Sequence, residues 1–265
     1  MADIEKSLTA ICHKDRPNSL VYIRDIFPDF IELKGDRLFG NDMAILGGIA
    51  TFAGKSVTII AQVRGRNLEE NIRFNFSMAH PEGYRKVLRL IEEAEKFQRP
   101  IVCFVDTVGA YPGKDSEDRG IGSAISNLLT KMMCIRIPVV SILIGNGGSG
   151  GALPLCVADR IAALENATLS VISPKACASI LWKNSSQYLK AAKILRMTAQ
   201  DLLDMEFIDT IIPEPGDGAH CNPSLVSEYI RQYITTNIFK MEKIPKSILV
   251  WRRRKKFHHI GQRYE

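Results

Sequence analysis

Two glycine-rich turns carry the chemistry that this sequence offers. The first runs Gly145-Asn146-Gly147-Gly148-Ser149-Gly150-Gly151, five glycines in seven residues. It follows an apolar stretch at 137–144 that reads as a buried strand, and precedes 152–158, which reads as the first turns of a buried helix. A strand, a glycine turn and a helix aim backbone N–H groups at one point. The helix N-terminus adds its orphan donors and partial positive charge. With side chains absent, a phosphate or an oxyanion formed during reaction can approach closely. The second turn, Thr107-Val108-Gly109-Ala110-Tyr111-Pro112-Gly113, follows a second apolar strand at 100–106.

Other chemistries fit less well. The chain has no GxxxxGK[ST] phosphate loop. Gly145, Gly147 and Gly150 spell GxGxxG, and Glu165 lies near the spacing of an acidic ribose partner, but a run saturated with glycine meets that pattern easily. Ser149 is flanked by glycines at the wrong spacing for a nucleophile elbow, and no histidine stands at an obvious place to activate it, so a small turn residue is the plainer reading. His13, His80, His220, His258 and His259 show no metal-binding spacing with carboxylates, and no metal site is expected. Asp106 and Asp209 are candidate acids, although capping and turn roles are the commoner use of such residues. What is left is a set of backbone donors without a clear acid, base or nucleophile. That combination points to oxyanion stabilisation with the proton chemistry done by the substrate; the plainer alternative is that the glycines only permit close helix–strand packing.

The elements that must hold these turns can be read from periodicity and turn signals. Asn18 or Ser19 caps a helix through Leu20, Ile23 and Ile26 towards Phe30. A glycine- and charge-rich loop at 32–41 leads to strands at 45–52 and 56–63 around Ala53-Gly54-Lys55. Helices follow at 83–97 and 120–133, each before one of the buried strands, so strand, glycine turn and helix occur twice in succession. Strands are predicted at 160–164, 168–172 and 208–213, with helices at 176–182, 187–195, 198–205 and 224–240. No convincing internal boundary divides the 265 residues, so one α/β domain is expected, with a core at about 15–235 and a basic extension at 236–265.

Composition narrows the class. Hydrophobic content of 46% and charged content of 24% suit a soluble globular protein. No apolar run reaches the roughly 18 residues of a membrane span, and the first residues lack a signal-peptide core, so a cytoplasmic protein with no membrane partner is expected. Cys12, Cys103, Cys134, Cys156, Cys177 and Cys221 form no CxxC pair, and four sit in apolar surroundings, which predicts buried free thiols. The net charge of +6 is concentrated in Arg252-Arg253-Arg254-Lys255-Lys256. That block reads as a solvated tail, with nucleic acid or an acidic protein as the alternative partner.

Several blocks together resemble one family. The residues from Asp106 to Gly113, from Gly145 to Leu153 and from Val171 to Trp182 are similar to the carboxyltransferase alpha subunit of bacterial acetyl-CoA carboxylase. So are Phe39-Gly40 with Gly47-Gly48-Ile49-Ala50, His80-Pro81-Glu82-Gly83-Tyr84-Arg85-Lys86, 211–215, and Gly218-Ala219-His220, in collinear order over residues 15–235. The resemblance implies the crotonase-like (ClpP/crotonase) fold, a superhelix of repeated β-β-α units. It implies transfer of a carboxyl group from carboxybiotin, on a biotinyl carrier protein, to acetyl-CoA, giving malonyl-CoA for fatty acid synthesis. It also implies a beta subunit that carries a zinc ribbon and most of the acetyl-CoA site, an alpha2beta2 heterotetramer, and a biotin carboxylase in the same system.

Carboxybiotin that releases CO2 locally leaves negative charge on its ureido oxygen, and its nitrogen can then take the methyl proton of acetyl-CoA. By position in the motif, the resemblance places the donors to that oxygen at Gly150 and Gly151, with Gly109 and Ala110 in the same pocket and Gly147, Gly148, Ser149 and Tyr111 as biotin contacts. The chain departs from the family at Val108 (usually proline), Asn146 (usually glutamate) and Lys175-Ala176 (usually glutamate-glycine). Two alternatives stay open: a biotin-dependent carboxyltransferase or decarboxylase for another acyl-CoA, and a non-catalytic scaffold or nucleic-acid-binding subunit.

Overall fold

The computed structural model describes residues 4–260. Helix α1 (Ile4–Ile11) precedes α2 (Ser19–Ile26), whose first amides at Leu20 and Val21 are capped by the Asn18 side chain. Helix α2 stops short of Phe30 because Phe27 precedes Pro28 and takes a non-helical conformation, φ −130° and ψ 69°. Strand β1 (Ile31–Glu32) pairs antiparallel with β2 (Ile45–Phe52), which forms a hairpin with β3 (Lys55–Gln62). The hairpin turn is Ala53-Gly54, both with positive φ, the two-residue geometry that matches strand twist.

Helices α3 (Leu68–Arg73) and α4 (Pro81–Lys96) lead to β4 (Ile101–Thr107), and α5 (Lys114–Asp118) and α6 (Ile121–Cys134) lead to β5 (Val139–Gly148). Helix α7 (Ser149–Cys156) then joins β5 to β6 (Arg160–Leu164). After these come β7 (Thr168–Ser170), α8 (Pro174–Trp182), α9 (Tyr188–Leu195), α10 (Ala199–Asp204), β8 (Thr210–Ile212), α11 (Pro223–Met241) and α12 (Lys246–His259). The sheet order is β1-β2-β3-β4-β5-β6-β8, antiparallel to β3 and parallel beyond it. Each parallel crossover moves one strand further in the same direction. Right-handed connection therefore places α4, α6 and α7 on one face, while α2 and α11 pack on β4 and β5 from the other.

The β-β-α repeat is present with its second strands cut short. Ala79 bridges Ala110, the end of β5 pairs with β7 (Asn146↔Thr168 to Gly148↔Ser170), and Thr168 bridges Thr198. These fragments line up beside the main sheet at the level of the glycine turns. The 145–148 segment is thus strand and not turn, and α7 starts at Ser149 rather than at Ala152. The glycines there make room: a Cβ would fall 2.4 Å from the Asp106 carboxylate at Gly145 and 2.5 Å from the Leu169 side chain at Gly147. Because Gly145 and Gly147 are strand residues, and Glu165 accepts the Glu214 amide at 3.0 Å, the dinucleotide pattern has no loop to act through.

The loop before β2 is held by α4. Asp36 accepts the amides of Leu38, Phe39 and Gly40 and pairs with Arg85 at 2.8 Å. Lys86, fully buried, donates to Asn41 Oδ1 and to the carbonyls of Asp42 and Ile45. Burial raises the Asp36 carboxyl, but the amides and Arg85 outweigh it and bring it down to about 2.

The basic block does not form a solvated tail. It lies in α12, where Arg253 is only 1% exposed and bonds Asp159 at 2.7 and 2.9 Å and the carbonyls of Met132, Ile135 and Ile137. Lys256 pairs with Asp209 at 2.6 Å. The boundary expected near 235 falls inside α11, and Leu249 of α12 belongs to the main core. The cysteines divide evenly: Cys103, Cys156 and Cys177 are buried, whereas Cys12, Cys134 and Cys221 are exposed. Among the described residues, no helix is long and apolar enough to cross a membrane.

Two outcomes follow for unfolding experiments. Arg253→Met strands a buried Asp159 charge and is expected to cost about 3–5 kcal/mol in denaturant unfolding, most of it recovered by adding Asp159→Asn. Asp36 is depressed in the fold, so its share of stability is full above the ordinary value of 3.8 and is lost as pH falls through about 2. Asp36→Ala is therefore less stable than wild type at neutral pH, and thermal melts of the two converge as the pH approaches that value.

Candidate active site

The two glycine turns meet main chain to main chain. A Cβ on Gly148 would lie 2.2 Å from the Val108 carbonyl, and one on Gly151 would lie 2.4 Å from the Ala110 nitrogen and the Gly109 carbonyl carbon. Only glycine permits backbones to approach so closely. Gly109 itself has φ +152°, a conformation that L side chains rarely adopt. In contrast, a Cβ on Gly150 or Gly109 would meet nothing within 4 Å, so open space lies before both residues.

Helix α7 supplies the donors. Its N-cap, Gly148, contributes no side-chain cap, so the amides of Ser149, Gly150 and Gly151 at its start have no intrahelical acceptor. Ser149 is exposed and takes φ +46°, which turns the chain sharply from β5 into the helix. A cavity of about 100 Å³ opens at this turn, lined by Val108, Gly147, Gly148 and Ser149 with Leu8 and Met197. A larger groove of about 770 Å³ lies beneath α12, away from the turns, where Asp209 and Lys256 already pair with each other. The small cavity is the one that reaches the glycine run, through Gly147, Gly148 and Ser149; Gly109, Ala110, Gly150 and Gly151 lie outside its lining.

Side chains fix the turns from behind. Asp106, buried at the end of β4, accepts the Asn146 amide at 2.9 Å. Burial raises its carboxyl, and the charges of Arg64 and Arg16 and the Asn146 amide pull it back. Thr107 Oγ1 accepts the Gly109 amide at 3.1 Å and ties the second turn to its own strand. Arg16 forks onto Glu214 at 2.7 and 2.9 Å and donates to the Ile144 carbonyl just before the glycine run. Asp209 accepts the Ile161 amide at 2.7 Å and pairs with Arg160, a structural role remote from the turns.

The structure therefore brings together Gly109, Ala110, Gly148 and Gly151 by direct contact, with Gly147, Ser149 and Gly150 beside them. Tyr111 stands at the edge: its amide donates to the Ala79 carbonyl at 3.0 Å and its ring lies against His80, centroids 4.4 Å apart. Of the residues at which the chain departs from the resemblance, Val108 is 54% exposed beside the cavity, Asn146 accepts from the Thr168 hydroxyl at 3.4 Å, and Lys175 of α8 lies over the ring of Tyr188 at the start of α9. Sequence reading missed Gln62 and Tyr84, whose side chains both reach the Gly151 carbonyl. The signal for Tyr84 was its place in the His80–Lys86 block; a glutamine ending a strand gave none. Among the described residues, no three His, Cys, Asp or Glu side chains gather as they would around a metal ion.

The chain is 52% identical over 249 residues to the acetyl-coenzyme A carboxylase carboxyl transferase subunit alpha of Clostridium botulinum (strain Alaska E43 / Type E3), covering 94% of this chain and 91% of that one. It is 51% identical over 250 residues to the same subunit of Bacillus cereus (strain G9842), covering 94% and 77%. Among solved structures it resembles a Pseudomonas malonate decarboxylase hetero-tetramer in complex with coenzyme A, with TM-score 0.70, 16% identity, and 88% and 91% of the two chains covered. It also resembles transcarboxylase 12S, with TM-score 0.66 and 18% identity; 89% of this chain is covered, but it spans only 46% of the 12S chain. Likenesses at this identity concern the fold alone, which is the crotonase-like one. The family model for acetyl co-enzyme A carboxylase carboxyltransferase-like proteins matches residues 3–261, and the chain belongs to that family.

Proposed function

We propose that this chain is the biotin-facing half of a carboxyltransferase. With a beta subunit that holds acetyl-CoA and carries a zinc ribbon, it moves the carboxyl group from carboxybiotin on a carrier protein to acetyl-CoA, giving malonyl-CoA. A biotin carboxylase recharges the carrier, and the two subunits assemble as an alpha2beta2 heterotetramer in the cytoplasm.

One observation carries this reading: the start of α7 abuts the Gly109–Ala110 peptide while open space is left before Gly150 and Gly109. That space suits a flat ureido ring brought close to the main chain. When bound, biotin supplies the carboxyl group. The amides of Gly150 and Gly151 hold negative charge on its ureido oxygen, aided by the positive end of α7. Gly109 and Ala110 close the same pocket. Gly147, Gly148 and Ser149 form its floor, and Tyr111, braced by His80, forms its outer edge. What this chain brings is electrostatic and preorganised, which is why its turns need neither a nucleophile nor a metal ligand of their own.

The test is malonyl-CoA formation by this chain with its cognate beta subunit, carboxylated carrier and acetyl-CoA, each omitted in turn. Activity that requires both subunits supports the shared site; no activity with a beta subunit proven competent overturns it. Two variants read the pocket itself. Gly150→Ala adds a methyl where nothing lies within 4 Å. It should raise helix stability by about 0.5–1 kcal/mol while abolishing most turnover, because the methyl occupies the space meant for the ring. Gly151→Ala should lower both the melting temperature and the rate, the latter by about a hundredfold or more, because its methyl strikes the Ala110 backbone.

A further inference from the structure

Two buried side chains from earlier units of the fold converge on one main-chain oxygen. Gln62, the last residue of β3, donates through Nε2 to the Gly151 carbonyl at 2.8 Å. Tyr84, on α4, donates its hydroxyl to the same oxygen at 3.2 Å. Both side chains are fully buried. Gly151 lies at the contact between the two turns and has no side chain by which to be held. A Cβ there would strike the Gly109–Ala110 peptide, so the carbonyl is the handle that remains. The helix's own grip is weak at this point. Pro154 lies inside α7 and has no N–H to offer the Gly150 carbonyl.

With Nε2 on the Gly151 carbonyl, Gln62 Oε1 is buried without a partner. Turning the amide over would set Oε1 against the carbonyl oxygen, so the orientation is fixed. A buried unpaired oxygen is destabilising, and leucine, of similar size, would not carry one.

We infer that Gln62 and Tyr84 are positioning residues: through the Gly151 carbonyl they hold the first amides of α7 in register with the Gly109–Ala110 peptide. Their effect on rate rests on the function proposed above; their effect on the turn does not. Neither side chain reaches the open space before Gly150, so neither touches the reacting groups.

The experiment compares Gln62→Leu, Tyr84→Phe and the double variant with wild type in the assembled carboxyltransferase, and follows amide hydrogen exchange at 152–156, the hydrogen-bonded part of α7, in the full chain. Gln62→Leu should lower kcat about 10- to 100-fold and leave KM for acetyl-CoA unchanged, because the partner holds that substrate. Its melting temperature should equal or exceed that of wild type, since the stranded oxygen is gone. Tyr84→Phe should lower kcat less, in keeping with the longer bond, and exchange at 152–156 should quicken in both. Wild-type kcat in the double variant, or a loss of rate that follows a fall in melting temperature, overturns the proposal. Should the wild-type assembly make no malonyl-CoA, the exchange data still decide: faster exchange in the variants upholds the positioning role and rejects only the reaction, and unchanged exchange rejects the positioning role.

Discussion

The contact of one main chain on another, where the end of β5 and the start of α7 lie on the turn after β4, sets the terms for the rest of the molecule. Backbones approach this closely only where side chains are absent, so Gly148 and Gly151 are dictated by the neighbour and not by their own turn. Residues without side chains cannot lock themselves in place. The structure meets that difficulty from outside, with Asp106 on the Asn146 amide, Thr107 on the Gly109 amide, and Arg16 on the Ile144 carbonyl. Each of these groups is at least partly withdrawn from water, where a hydrogen bond is electrostatically strong and a missing one is costly.

The same economy governs the buried charges. Arg16 and Glu214 satisfy each other by a two-pronged contact, and Glu214 takes further amides from Asn166 and Ala219. Buried pairs of this kind add little net stability over an apolar core, but they penalise any arrangement in which a partner is missing. Here they tie segments far apart in sequence to the ends of the central strands, at which the donors are presented. The site's precision therefore comes from polar contacts behind it, while the apolar core supplies the sheet on which they stand.

Much of this was legible in the sequence. The strands around the turns, the hairpin at Ala53-Gly54 and the Asn18 cap follow from patterns local to a few residues. The close approach at the glycine run was legible too, because residues without side chains between a buried strand and a buried helix permit tight packing. What the sequence hid was non-local. The division of the run into three strand glycines and two helix glycines depends on Asp106, Leu169 and Val108, which arrive from other units. The carbonyl grip leaves no mark around Gln62, and around Tyr84 only its place in the His80–Lys86 block. The basic block misled for a related reason: five adjacent cations read as solvated, yet a helix spreads them around its axis, and Arg253 turns inwards to Asp159 while Lys256 packs on Asp209.

That inward arginine has a consequence for how the chain is made. Asp159 sits between α7 and β6, beside the strands that hold the turns, and its counter-ion lies 94 residues further along. During synthesis the central strands leave the ribosome well before Arg253 does. Until then the carboxylate either stays wet, keeping the connection between α7 and β6 loose, or is neutralised by a proton. Arg253 therefore fastens the end of α6 and the start of β5, at the far end of that strand from the glycine contact, only once α12 has docked.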